Sequence, residues 1–170
     1  GENDLVLLAA ARLEPQKGHG VLLEALTRIR QVHPNVRLVC VGDGALRGPL
    51  EDQVRAEGLD GAVRFAGFQR NIPEWLAMAD MLVLPSFFEG LPLVAIESLA
   101  AGKPVVATAV DGTPEVVRDG ESGSLVPPGD SAALAAAIGR LAESAELRGR
   151  FGTAGRAWVL DHFQVGRFLR

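Results

Sequence analysis

Ser86-Phe87-Phe88-Glu89-Gly90-Leu91-Pro92-Leu93-Val94-Ala95-Ile96-Glu97 follows the apolar run Met81-Leu82-Val83-Leu84-Pro85. That run reads as a short buried strand. Pro92 stands where a helix would begin: its fixed φ suits the first helical turn, and its missing N–H would have no partner there. The pattern predicts a helix through about Ala101, ended by Gly102. Between Leu93 and Ala101 only Glu97 and Ser98 are polar, so this helix is expected to be buried on most sides.

The same succession of strand and helix extends in both directions. Strands are expected at Leu5–Ala10, Arg37–Val41, Val63–Ala66, Met81–Leu84, Pro104–Thr108 and Gly123–Val126. Helices are expected at Val21–Val32, Leu46–Gly58, Ile72–Ala79 and Thr113–Arg118, and then in two runs reaching Ser144 and His162. Thr113 reads as an N-cap ahead of Pro114, and Asp130 as the cap of the next helix. Strands alternating with helices imply βαβ units, here an open Rossmann-like α/β sheet of about six parallel strands with helices on both faces. Ligands of such sheets bind at the carboxyl ends of the strands, so the loops after the first, third and fourth strands are the place to seek chemistry.

The 170 residues suffice for one domain with a sizeable core. A formal net charge of −4 gives no electrostatic support to nucleic-acid binding. One cysteine, Cys40, excludes an internal disulfide and lies in an apolar strand. No apolar run approaches a membrane span, and no signal peptide is visible. The first strand starts about four residues in, as expected of a piece of a longer protein.

Two carboxylates bracket the helix start at Leu93: Glu89 in the loop before it and Glu97 in its second turn. The free N–H groups at Leu93 and Val94 form an anion site between them. A ligand with a phosphate for the helix start and hydroxyls for the carboxylates would satisfy all three, and a nucleotide sugar is such a ligand. Arg12 and Lys17 lie in the loop after the first strand. Lys17 has the wrong sign for the helix that follows unless an anion is bound. Gly18 and Gly20 leave room for backbone to approach a phosphate. Plainer readings stand beside these. The basic loop is also compatible with simple solvation, Glu89 with an exposed loop acid, and Glu97 with a partner arginine. A carboxylate dyad for glycoside hydrolysis would show the same letters. His19 reads as a loop residue, Trp75 and Trp158 as packing residues, Glu115 as a helix-start acid, and Gly42, Gly44 and Asp111-Gly112 as turns.

Several of these elements, in this order, resemble a known family. They are Arg12…Lys17-Gly18, Val41-Gly42-Asp43-Gly44, Phe65-Ala66-Gly67-Phe68, Pro85-Ser86-Phe87-Phe88-Glu89-Gly90-Leu91-Pro92 through Glu97, Ala101-Gly102-Lys103-Pro104-Val105-Val106, and Gly112-Thr113-Pro114-Glu115 through Pro127-Pro128-Gly129-Asp130. Together they resemble the carboxy-terminal, donor-binding domain of a GT-B glycosyltransferase of the family-4 type, and the likeness covers nearly the whole chain. It implies a retaining transfer from a nucleoside-diphosphate sugar, without metal or other cofactor. Arg12 and Lys17 match the basic pair that grips the diphosphate. Glu89 matches the acid facing the donor sugar, with Gly90 and Leu91 offering backbone groups beside it. Glu97 matches the acid that accepts from the ribose hydroxyls. Leu93 and Val94 fall where main-chain N–H groups meet phosphate, and Phe68, Gln69, Arg70 and Asn71 in the loop against the nucleobase. Ala11 departs from the family, which usually has glycine before the arginine.

The likeness further implies that residues 1–170 form a single donor domain. The acceptor would bind to an amino-terminal domain of the same enzyme that this chain lacks. The implied setting is cytoplasmic, with contact to the cytoplasmic membrane face left to that missing half. A GT-B nucleotide-sugar epimerase and a non-catalytic nucleotide-binding module are the rival readings.

Overall fold

The computed structural model describes residues 1–163. Six strands, β1 (Leu5–Ala10), β2 (Val36–Val41), β3 (Val63–Gly67), β4 (Met81–Leu84), β5 (Val105–Thr108) and β6 (Gly123–Val126), pair in parallel in the order β3-β2-β1-β4-β5-β6. The helices are α1 (His19–Arg30), α2 (Arg47–Ala56), α3 (Ile72–Met78), α4 (Leu93–Ala100), α5 (Thr113–Val116), α6 (Ser131–Glu143) and α7 (Ala145–His162).

The near-continuous apolar strands follow from burial on both faces. Alternate residues of β1 go to opposite cores. Leu5, Leu7 and Ala9 join α1, α2 and α6, whereas Leu8 joins α3, α4 and the end of α7. Trp75 and Trp158 pack against the second core, in keeping with their sequence reading. Cys40 is buried in the first core, and burial pushes its thiol up to about 12. No described helix is long and apolar enough to cross a membrane.

Three local details differ from the sequence reading. Pro92 is the N-cap of α4 (φ −78°, ψ 90°) rather than part of its first turn. Its extended backbone turns the chain out of the β4 loop, and Leu93 is the first helical residue. Thr113 is likewise the first residue of α5, with Gly112 as the cap. The loop after β1 contains a single 3-10 turn, Pro15–Lys17, before Gly18 takes a left-handed conformation (φ 71°) and opens α1. Asp130 caps α6 as expected, accepting the Ala133 N–H at 2.8 Å.

The strand order reverses between β1 and β4. From β1 the chain builds outward through β2 to β3, then returns to lay β4 on the other side of β1. The loops leaving neighbouring β1 and β4 therefore diverge and open a crevice at the carboxyl edge.

Candidate functional site

The crevice holds a cleft of about 440 Å³. Ala10, Ala11 and Arg12 line it from the end of β1, and Val41, Gly42 and Asp43 from the end of β2. Phe68 and Gln69 close it after β3, Ile72 from α3, and Val94 and Glu97 from α4. Five of the residues singled out in the sequence, Arg12, Phe68, Gln69, Val94 and Glu97, thus share one space. Arg70 does not line it and is exposed.

The cleft wall is set by close backbone packing. A Cβ on Gly42, whose φ is +132°, would lie 2.0 Å from the Ala11 carbonyl oxygen. Glycine is therefore required where the β2 loop crosses the β1 loop. Ala11 itself is not among the residues with positive φ, so the backbone accepts its methyl group without strain. Gly18 is required for a similar reason: a Cβ there would lie 2.0 Å from the Pro85 carbonyl oxygen. That contact, with the Phe87 N–H donating to the Gln16 carbonyl at 2.8 Å, joins the β1 and β4 loops. The structure thus gives Gly18 a packing role between loops, which the sequence alone had not suggested.

Lys17 and Glu89 meet at this junction. The Lys17 ammonium lies 3.1 Å from Glu89 Oε1, and the Ser86 hydroxyl donates to the same oxygen at 2.7 Å. Both charged side chains are largely covered, 18% and 11% exposed, so this pair is less screened than a surface one. Buried Thr108 holds the end of β4 in place, donating to the Ser86 carbonyl at 2.5 Å. Arg12 is different: its side chain is 66% exposed and its guanidinium pairs with Glu14 at 3.2 Å. Such a pair contributes little, so the guanidinium is free to turn into the cleft toward an anion.

Helices α1, α2 and α4 all start at this edge without a side-chain cap or a first-turn acid, and the starts of α4 and α1 flank the two joined loops. At α4, the Ala95 and Ile96 N–H groups donate back to Pro92, which leaves those of Leu93 and Val94 unpaired. At α1, Val21 and Leu22 donate to Gly18, which leaves those of His19 and Gly20. Unpaired N–H groups with the helix dipole behind them favour an anion.

Glu97 is half-buried in the second turn of α4. Burial raises its pKa, and among the described residues its side chain has no hydrogen bond or ion pair. Among the described residues no arginine partners it, in contrast to the plainer reading. A carboxylate in this state is an unfilled acceptor facing the cleft. Among the described residues no three His, Cys, Asp or Glu side chains gather as a metal-binding group.

Several participants make a contact here of which the sequence carries no sign. Ser86 stands inside the decisive stretch, but its hydroxyl becomes a Glu89 partner only through the turn of the loop. Asp43 and Ile72 reach the cleft through strand order. Asp111, read as a turn residue, accepts the Glu89 backbone N–H at 2.7 Å. A turn aspartate is common for local reasons, so nothing near it in sequence marked this contact.

The family model described as "Glycosyl transferases group 1" matches residues 1–158. The lipopolysaccharide core biosynthesis glycosyltransferase LpsE of Rhizobium meliloti is 36% identical over 158 residues, which cover 93% of this chain and 45% of that protein. HepE of Anabaena, solved in complex with UDP-glucose, superposes with a TM-score of 0.89 at 33% identity, over 98% of this chain and 46% of HepE. The carboxy-terminal domain of a group 1 family protein, LpcC of Francisella tularensis, superposes with a TM-score of 0.88 at 28% identity, over 95% of this chain and 87% of that domain. The chain thus spans less than half the length of the curated relative and of HepE, and nearly all of the separately solved domain.

Proposed function

The chain belongs to the group 1 glycosyl transferase family, and on that premise we propose that residues 1–170 are the donor-binding half of a glycosyltransferase. In this reading the chain holds a nucleoside-diphosphate sugar, and a second, amino-terminal domain of the same enzyme presents the acceptor. The observation that carries it is the convergence at one sheet edge of an uncapped helix start, the unpartnered carboxylate of Glu97, and two basic side chains. The UDP-glucose bound by HepE, on the same fold, supports it.

The diphosphate lies across the Leu93 and Val94 N–H groups, with Arg12 and Lys17 on its other side. The ribose hydroxyls donate to Glu97, which removes the cost of leaving that carboxylate unfilled. The nucleobase runs along the loop of Phe68, Gln69 and Arg70. The sugar extends toward Glu89, where Gly90 and Leu91 add backbone groups. Transfer breaks the bond from the anomeric carbon to the phosphate oxygen and forms one to an acceptor oxygen on the same face, retaining configuration. The departing diphosphate carries the electron pair, and its freed oxygen takes up the proton of the acceptor hydroxyl. Arg12, Lys17 and the α4 start supply positive potential for that developing charge, the term a metal ion supplies elsewhere.

Calorimetric titration of the chain with UDP, GDP and ADP tests the reading. One of the three should bind, and Glu97→Ala and Lys17→Ala should each weaken it by about tenfold or more, as expected for hydrogen bonds to charged groups. Binding of none, or an unchanged affinity in Glu97→Ala, would sink the assignment.

A further inference from the structure

The turn between β5 and α5 carries a carboxylate with a distant target. Asp111 is the only non-glycine residue with positive φ among the described residues, at +46°. Aspartate reaches this left-handed region at modest cost, and glycine at none. Its Oδ2 accepts the Glu89 backbone N–H at 2.7 Å, across 22 residues of chain. The next residue, Gly112, packs so tightly that a Cβ there would lie 2.7 Å from the Gly90 carbonyl oxygen. The turn therefore presses on the loop from Glu89 to Leu91 at two consecutive points. Glu89 is held at both ends: by Asp111 on its main chain, and by Ser86 (2.7 Å) and Lys17 (3.1 Å) on its carboxylate.

We infer that Asp111 is a positioning residue for the sugar moiety of the donor, acting through Glu89. The inference rests on the reading above, in which Lys17 serves the diphosphate and Glu89 the sugar. Those two duties compete, because Lys17 is already paired with Glu89. A diphosphate offers more charge and more acceptors than one carboxylate, so it draws the ammonium away. Glu89 then keeps only Ser86 on its side chain. The hold of Asp111 on the Glu89 N–H does not involve Lys17 and survives the exchange. It keeps the loop at the height where the carboxylate and the Gly90 and Leu91 backbone meet the sugar. Its weight is therefore felt when a sugar is attached, and not by the bare diphosphate.

Three substitutions separate this role from backbone strain. Asp111→Gly removes the acceptor and relaxes the φ. Asp111→Asn keeps an acceptor oxygen and tolerates the φ. Asp111→Ala loses the acceptor and adds strain. The 170-residue chain is titrated with UDP, GDP and ADP and with UDP-glucose, GDP-mannose and ADP-glucose, and amide exchange is followed at Glu89.

Asp111→Gly should unfold at the wild-type temperature or above and bind the preferred diphosphate as wild type does. It should bind the matching nucleotide sugar about tenfold more weakly and exchange the Glu89 N–H about tenfold faster. Asp111→Asn should recover most of both, and Asp111→Ala should show the loss together with a lower unfolding temperature. Equal weakening with and without the sugar, or none in either, overturns the inference and leaves the donor-site reading intact. Failure of the wild-type chain to bind any diphosphate overturns both.

Discussion

Glu97 and His19 are two titratable groups whose pKa values burial moves in opposite directions. Burial raises the Glu97 pKa above its ordinary 4.5, so the folded state holds the proton longer than the unfolded chain. Its contribution to stability therefore falls as pH rises from about 4.5 through the raised value. Glu97→Gln removes that slope and should raise the melting temperature at pH 7 while weakening nucleotide binding. Thermal unfolding across pH 4 to 7, with and without nucleotide, measures both effects, and a lower melting temperature for the variant would contradict the desolvation argument. His19, which the sequence places in a loop, is the first residue of α1. It is 3% exposed, and neither ring nitrogen has a partner among the described residues. Burial first, and the Lys17 charge second, lower its pKa from 6.5 to about 4. The unfolded chain binds the proton that the folded one refuses, so stability is full above about pH 6.5 and is lost as pH falls toward 4. The shift bounds the loss at about 3 kcal/mol. Denaturant unfolding of His19→Asn at pH 7 and pH 4.5 should show a smaller difference between the two pH values than wild type.

Helix α7 shows how far an element can be read from its own letters. Its end at His162 is read from the sequence, but the letters do not tell its glycines apart. Gly152 and Gly155 are buried against α4: a Cβ at 152 would lie 2.1 Å from the Gly102 carbonyl oxygen, and one at 155 would lie 2.6 Å from Leu99 Cδ2. Gly149, one turn earlier and exposed, has nothing within 4 Å. Gly152→Ala should therefore destabilise by about 2 kcal/mol, because backbone must shift. Gly149→Ala should stabilise by about 0.5–1 kcal/mol, because only helix propensity changes. Chemical denaturation of the two variants checks the contrast, and equal effects would show that α7 does not pack closely on α4. Arg156 adds to this joint by donating to the Ala100 carbonyl near the end of α4. Spacing alone cannot separate a glycine that permits contact from one that merely tolerates exposure.

For the molecule as a whole, the decisive feature is the reversal of strand order between β1 and β4. It places a basic loop and an acidic loop side by side, with an uncapped helix start beneath them. It also leaves Phe87, Phe88, Leu91 and Leu93 exposed on the rim of that edge. If the acceptor is presented by a separate domain, the 170-residue chain should bind nucleoside diphosphate yet transfer no sugar. A radiolabelled donor assay on the chain alone and on the full-length enzyme checks this; transfer at a comparable rate by both would place the acceptor site within this chain.

Runs of apolar residues and their punctuation by glycine, proline and aspartate determined, by themselves, that six strands alternate with helices, and nearly where each begins. That information is local: periodicity and capping act within a few residues. The order of motifs along the chain also marked Arg12, Lys17, Glu89 and Glu97. Only the tertiary structure decided that Lys17 rests on Glu89, that Glu97 is left without a partner, that Gly18 and Gly42 stand where loops cross, and that Asp111 reaches back to the Glu89 N–H. These are contacts between loops leaving different strands, and sheet packing, which sets them, leaves no periodic trace in the sequence.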